Sequence, residues 1–91
     1  MVEIVWDKKF RQLFKKWSKK HPDLVEVFKN RLELFARDSF HPQLKTHSLS
    51  GILKGLWAFH ITYEYRLVFK FLDKKKKVVL LIDIGSHDEV Y

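Results

Sequence analysis

The spacing of apolar residues changes period once along the chain, dividing it into a helical half and a strand half. Val2 to Trp6 reads as a short strand, and Asp7 is suited to cap the helix that follows. Phe10, Leu13, Phe14 and Trp17 stand at i, i+3, i+4 and i+7, which predicts a one-faced helix from about Lys8 to Lys20. His21-Pro22-Asp23 breaks that helix and starts another, since proline fits a first turn and an acid there suits the helix dipole. Leu24, Val27, Phe28, Leu32 and Phe35 continue the helical spacing to about Asp38, and so short a turn predicts an antiparallel helix hairpin.

From Leu44 onward the period is 2. Leu44 to Leu49, Leu56 to Thr62, Tyr65 to Leu72 and Val78 to Ile84 read as strands, the last three forming a meander. The expected fold is α+β: an N-terminal strand, the two-helix hairpin, then an antiparallel sheet of three to four strands. Alternation assigns Trp57, Phe59 and Ile61, then Tyr65, Leu67, Phe69 and Phe71, then Val78, Leu80, Ile82 and Ile84 to the face that packs on the helices. The opposite face then carries Ala58, His60 and Thr62, Glu64, Arg66, Val68 and Lys70, and Val79, Leu81 and Asp83. Its apolar members predict a concave or partner-covered surface with ionisable groups set in it.

With 91 residues there is room for one domain, and a hydrophobic fraction of 46% with eight Phe, three Trp and three Tyr is enough for a core. Eighteen Lys and Arg against eleven Asp and Glu leave a net charge of +7, which favours polyanions or an acidic protein. Seven of those cations, Lys8 to Lys20, line the first helix with no acid between them. That run is either a solvated face or a docking surface for RNA or an acidic protein. Lys74 to Lys77 reads as a solubilising hairpin tip. The absence of cysteine removes disulfides, thiolate nucleophiles and zinc-thiolate sites. The amino end lacks the basic and long apolar segments of a signal peptide, and no apolar run approaches the roughly 20 residues of a membrane span. A cytoplasmic protein without membrane contact is expected.

Parity puts His60, Glu64 and Arg66 on one face across a tight turn, and His47 on the preceding strand shares it. A histidine moves protons near neutrality, a carboxylate can act as base, and an arginine fork holds phosphate. Period-2 spacing is not a specific motif, and by itself it favours a surface ion pair between Glu64 and Arg66 beside two ordinary histidines. Gly85 permits a sharp exit that would carry His87 and Tyr91 to a sheet edge. The gaps between His47, His60 and His87 match no compact metal-ligand pattern.

The strings His47-Ser48-Leu49-Ser50-Gly51, Lys54-Gly55-Leu56-Trp57, Tyr65-Arg66-Leu67-Val68-Phe69 and Ile84-Gly85-Ser86-His87-Asp88-Glu89-Val90-Tyr91 resemble, in order and spacing, the RelE/ParE superfamily of bacterial toxins, closest to its YafQ-like branch. The resemblance spans essentially the whole chain, so a single RelE/YafQ-like domain over residues 1–91 is expected. It implies a toxin of a type II toxin–antitoxin pair: a metal-independent endoribonuclease that cleaves messenger RNA, typically on the ribosome, without a cofactor, until a cognate acidic antitoxin neutralises it. The YafQ-like pattern places functional groups at His47, His60, Glu64, His87 and Tyr91, with aspartate where this chain has Glu64. Arg66 instead resembles the RelE and YoeB branches, where arginine contacts the scissile phosphate. His60 or Glu64 is then base, His87 acid, His47 a phosphate or ribose contact and Tyr91 a base-stacking residue. Lys54 with Arg66 holds phosphate, and Lys45 and Lys70 are further RNA contacts. Two other functions fit the same resemblance: a ParE-like toxin that poisons DNA gyrase, and a noncatalytic RNA- or protein-binding member of the fold.

Overall fold

The computed structural model describes residues 1–90, apart from the side chain of Glu89. β1 (Glu3–Val5) leads into α1 (Lys8–Lys20), whose first turn is closed by Asp7 Oδ1 accepting from the Phe10 N–H at 2.8 Å. A 3₁₀ turn at Pro22–Leu24 reverses the chain into α2 (Val25–Arg37). Phe14 and Trp17 of α1 consequently meet Phe28 of α2 at ring separations of 4.5 and 6.1 Å.

The strands are β2 (His47–Ser48), β3 (Trp57–His60), β4 (Tyr65–Phe71) and β5 (Val78–Ser86), followed by a short helix α3 (His87–Val90). They form one five-stranded sheet in the order β1-β5-β4-β3-β2, antiparallel except that β1 runs parallel to β5 at the edge. The expected strand from Leu44 to Leu49 shortens to two residues. Leu44 falls in a 3₁₀ turn, Pro42–Leu44, where it is fully buried in the core, because Pro42 withholds a ladder donor and Lys45 turns left-handed at φ 51°.

The helices cover one sheet face. Phe10 and Trp17 from α1 and Phe28 and Phe35 from α2 pack on Phe59, Ile61, Leu67, Phe69, Val79, Leu81 and Ile84. Phe35 is the centre of this layer, stacked on Phe59 at 4.7 Å and edge-on to Phe69 at 4.7 Å. The expected faces of β3 and β4 are observed, whereas that of β5 is corrected. Val68 pairs with Asp83 and Phe69 with Leu81, so Ile82 is an extra residue in a β-bulge. The bulge inverts the alternation: Val79 and Leu81 face the helices, Ile84 does so after it, and Val78, Leu80 and Ile82 do not enter the helix-side core.

A second correction concerns the opposite face. Gly85 makes no exit; it stays in β5, buried and paired with Arg66, and the chain turns only at His87. α3 then folds back so that Val90 buries Ala58 and Val68, with Leu49, Leu56 and Ile82 around them. Ala58 and Val68 of this face are therefore covered by the chain's own C-terminal helix, with Leu49, Leu56 and Ile82 half-buried around them.

Phe35→Ala removes a fully buried ring between two others, at a cost of about 3–5 kcal/mol. Its urea-unfolding midpoint should fall accordingly, with the slope unchanged.

Candidate active site

The face beside α3 carries most of the ionisable groups picked out in the sequence. His60 on β3 lies directly opposite Arg66 on β4, and Arg66 lies directly opposite Gly85 on β5. One transverse row of the sheet thus holds an imidazole, a guanidinium and a position without a side chain. His47 pairs with Ala58, two residues before His60, which brings the two histidine rings to 6.3 Å. His87 begins α3, and its backbone N–H donates to the Glu64 carbonyl at 3.3 Å, tying the end of the sheet to the β3–β4 turn.

Arg66 is the one charged side chain buried in the described structure, at 9% exposure. Its Nη1 donates to the Tyr63 carbonyl at 2.6 Å, and among the described residues no carboxylate lies within ion-pair distance of it. A buried guanidinium without a carboxylate is costly unless an anion arrives, which makes this group an anion receptor in waiting. The Glu64–Arg66 ion pair of the alternative reading is not found among the described residues. Glu64 sits exposed at the turn, where Thr62 Oγ1 accepts from the backbone N–H of Glu64 at 3.3 Å and of Tyr65 at 3.2 Å.

Burial first, then the charges of Arg66, His47, Lys45 and His87, lower the His60 pKa to about 4. His60 is therefore a neutral imidazole at pH 7, able to accept a proton and unable to supply one. His47 Nδ1 lies 2.8 Å from the Lys45 carbonyl, which only accepts, so Nδ1 carries the hydrogen of this bond. The left-handed turn at Lys45 aims that carbonyl.

Two clefts border the row. One, of about 170 Å³, is lined by Lys45, His60, Thr62 and Tyr63 with Arg31 and Gln43. The other, of about 680 Å³, is lined by Tyr63, Glu64, Arg66, Ser86, His87 and Asp88. Of the residues picked out in the sequence, His47, His60, Arg66, His87 and Lys45 share one electrostatic environment. Glu64 lines the Arg66 cleft, and is not among the charges that act on His60. Lys54, just past the 3₁₀ turn Gly51–Leu53, and Lys70, on β4 opposite Leu80, are exposed and line neither cleft. Tyr91 lies outside the described residues. Sequence reasoning missed Tyr63 and Ser86, which carry no motif of their own; the tight turn beside Arg66 is the one signal that points to Tyr63.

The fold is that of solved bacterial toxins of the YafQ and YoeB/ParE kinds. It belongs to the family described as bacterial toxin of type II toxin-antitoxin system, YafQ, whose model matches residues 2–91. Among solved structures it is similar to a metal-bound toxin from Helicobacter pylori, at 28% identity over 100% of both chains with a TM-score of 0.76. YafQ from E. coli strain BL21(DE3) superposes with a TM-score of 0.78 at 20% identity, over 100% of this chain and 99% of that one. The E. coli DinJ–YafQ complex gives 0.76 at 22% identity over the same shares of the two chains. No curated protein matches the chain. Although one neighbour is metal-bound, the described residues include no group of three His, Asp or Glu placed to hold a metal ion here. No helix of the described residues is long and apolar enough to cross a membrane.

NMR titration of the His60 ring should give a pKa of about 4, and Arg66→Gln should raise it without restoring the ordinary value, because burial is the larger cause. The folded pKa lies below the unfolded value near 6.5, so the unfolded chain takes up this proton first. Stability should therefore decline as pH falls from about 6.5 toward 4, a loss that His60→Gln should lessen.

Proposed function

We propose that this toxin is a metal-independent endoribonuclease that cleaves messenger RNA, with the ribosome as the setting and the bacterial cytoplasm as the compartment. The observation that carries the reading is the buried Arg66 guanidinium, with no carboxylate partner among the described residues, directly across the sheet from a neutral His60. RNA carries its own nucleophile, the 2′-hydroxyl, so a base, an anion receptor and an acid suffice.

In this mechanism His60 accepts the 2′-hydroxyl proton as O2′ attacks phosphorus. Arg66, with His47 and Lys45, neutralises the pentacoordinate phosphorane. The bond from phosphorus to O5′ breaks as His87 donates a proton to the leaving oxygen, which yields a 2′,3′-cyclic phosphate and a 5′-hydroxyl. The low pKa of His60 supports the base role over the acid role, because an acid with that value would be spent at neutral pH. Glu64 is the alternative base; it lines the cleft of Arg66 and His87, whereas His60 lies directly opposite Arg66 in the sheet as a neutral imidazole, which favours His60. Tyr91 would stack on a base, while Lys54 and Lys70 would contact the RNA backbone farther out.

An acidic antitoxin is the expected protein partner. A largely apolar groove of about 360 Å³ runs between β1 and α2, lined by Ile4, Trp6, Phe28, Leu32 and Ala36 with Lys29 and Glu33 at its edge, and Phe14 joins it to α1, whose Lys8, Lys9, Arg11, Lys15 and Lys16 are exposed. Apolar side chains of an acidic, partly disordered segment would fill the groove while its carboxylates meet those cations.

Inducible expression with primer extension on a reporter messenger RNA tests the reading. New RNA ends should accompany growth arrest in the wild type. His60→Ala and His87→Gln should each lower cleavage about 10²–10⁴-fold, and Arg66→Gln about 10²–10³-fold. Arrest by the double variant His60→Ala, His87→Gln without new ends would mean a poisoned target such as gyrase. With His60 as base, the acid limb of kcat/KM should lie near its pKa of about 4, whereas an acid role would confine activity below it.

A further inference from the structure

We propose that Tyr63 forms a nucleobase-binding site: its ring stacks on the base next to the phosphate held by Arg66, and separates the two nucleotides that flank that phosphate. The inference rests on the reading of this face as an RNA site.

Tyr63 is 89% exposed, and no ring contact holds it among the described residues. A single exposed aromatic is unremarkable by itself. Its position distinguishes it. Tyr63 is the one described residue that lines both clefts, with His60 and Lys45 in one and Arg66, Ser86 and His87 in the other. Its own carbonyl accepts from Arg66 Nη1 at 2.6 Å, so the backbone that carries the ring also orients the phosphate receptor.

That backbone is held from two directions. Thr62 Oγ1 accepts from the next two turn amides, Glu64 and Tyr65, and the Glu64 carbonyl accepts from the His87 N–H. The ring is therefore presented at a set distance from the row of His60 and Arg66, although the side chain itself meets solvent. A chain threaded past Arg66 has one nucleotide on each side of its phosphate, and two clefts that meet at Tyr63 would receive two bases no longer stacked on each other. Unstacked bases on aromatic rings beside cations are how single-stranded RNA is held. Every base has a π face, so the ligand is an unstacked nucleobase of any identity. Separating the bases also frees the ribose between them to bring O2′ in line with the leaving oxygen.

The test uses the full-length chain and a short single-stranded RNA. One 2′-deoxynucleotide blocks cleavage, and 2-aminopurine is placed on each side of it in turn. Wild type and Tyr63→Phe should bind alike and quench the fluorescence on one side. Tyr63→Ala and Tyr63→Leu should lose that quench and bind roughly 5- to 100-fold more weakly. Leucine keeps apolar bulk, so loss in both variants assigns the effect to stacking, and unchanged thermal melts separate it from misfolding. Wild-type quench and affinity in Tyr63→Ala, with wild-type RNA cleavage retained, would overturn the base site and leave the nuclease reading standing. Wild type that neither binds nor cleaves RNA would overturn both.

Discussion

The pairing of β4 between β3 and β5 is the constraint on which the rest depends. β4 is hydrogen-bonded on both edges, so its pleat cannot rotate, and each of its residues is committed to one face. Leu67 and Phe69 go to the helices and are fully buried; Arg66 and Val68 go to the other side. A slip of one residue would put the guanidinium into an aromatic core and Leu67 among the histidines. The core thus positions the chemistry: packing Phe35 against Phe59 and Phe69 is also what aims Arg66 at His60.

Electrostatics at the open face follow from that register. Arg66 is held by a backbone carbonyl, a dipole too weak to neutralise it. Its charge and those of His47, Lys45 and His87 then fall on His60, and with burial they keep that ring uncharged. The cluster is thereby strained toward anions and yet contains a lone pair that survives at neutral pH. Those are the two properties that transesterification of RNA asks for, and one source, crowding of cations around a half-buried imidazole, supplies both. An acidic partner at this face would relieve the same crowding.

The bulge at Ile82 and the return of α3 have a joint consequence. Because the extra residue turns Ile82 outward, that side of the sheet acquires an apolar patch with Ala58 and Val68, and Val90 closes it. Covering the patch is what brings His87 back over the sheet end and joins it to the Glu64 carbonyl. The C-terminal helix is thus tied to the sheet at both of its ends, by the apolar patch and by the backbone of the β3–β4 turn.

Much of this was legible in the residues. The helix from Lys8 to Lys20, its Asp7 cap, the break at Pro22, and the faces of β3 and β4 all follow from local periodicity and capping chemistry, which depend on neighbours within four residues. The grouping of His47, His60 and Arg66 was legible for the same reason, since period 2 and a tight turn suffice to put them on one side. The inverted face of β5 was not, because a bulge is a property of two strands and leaves an ordinary alternating string, Val78 to Ile84, in one of them. The parallel edge strand, the burial of Arg66, the neutral His60 and the place of Tyr63 between two clefts were equally hidden. Each is set by groups far apart in the chain, and only the folded pairing of strands brings their dipoles, charges and volumes within reach of one another.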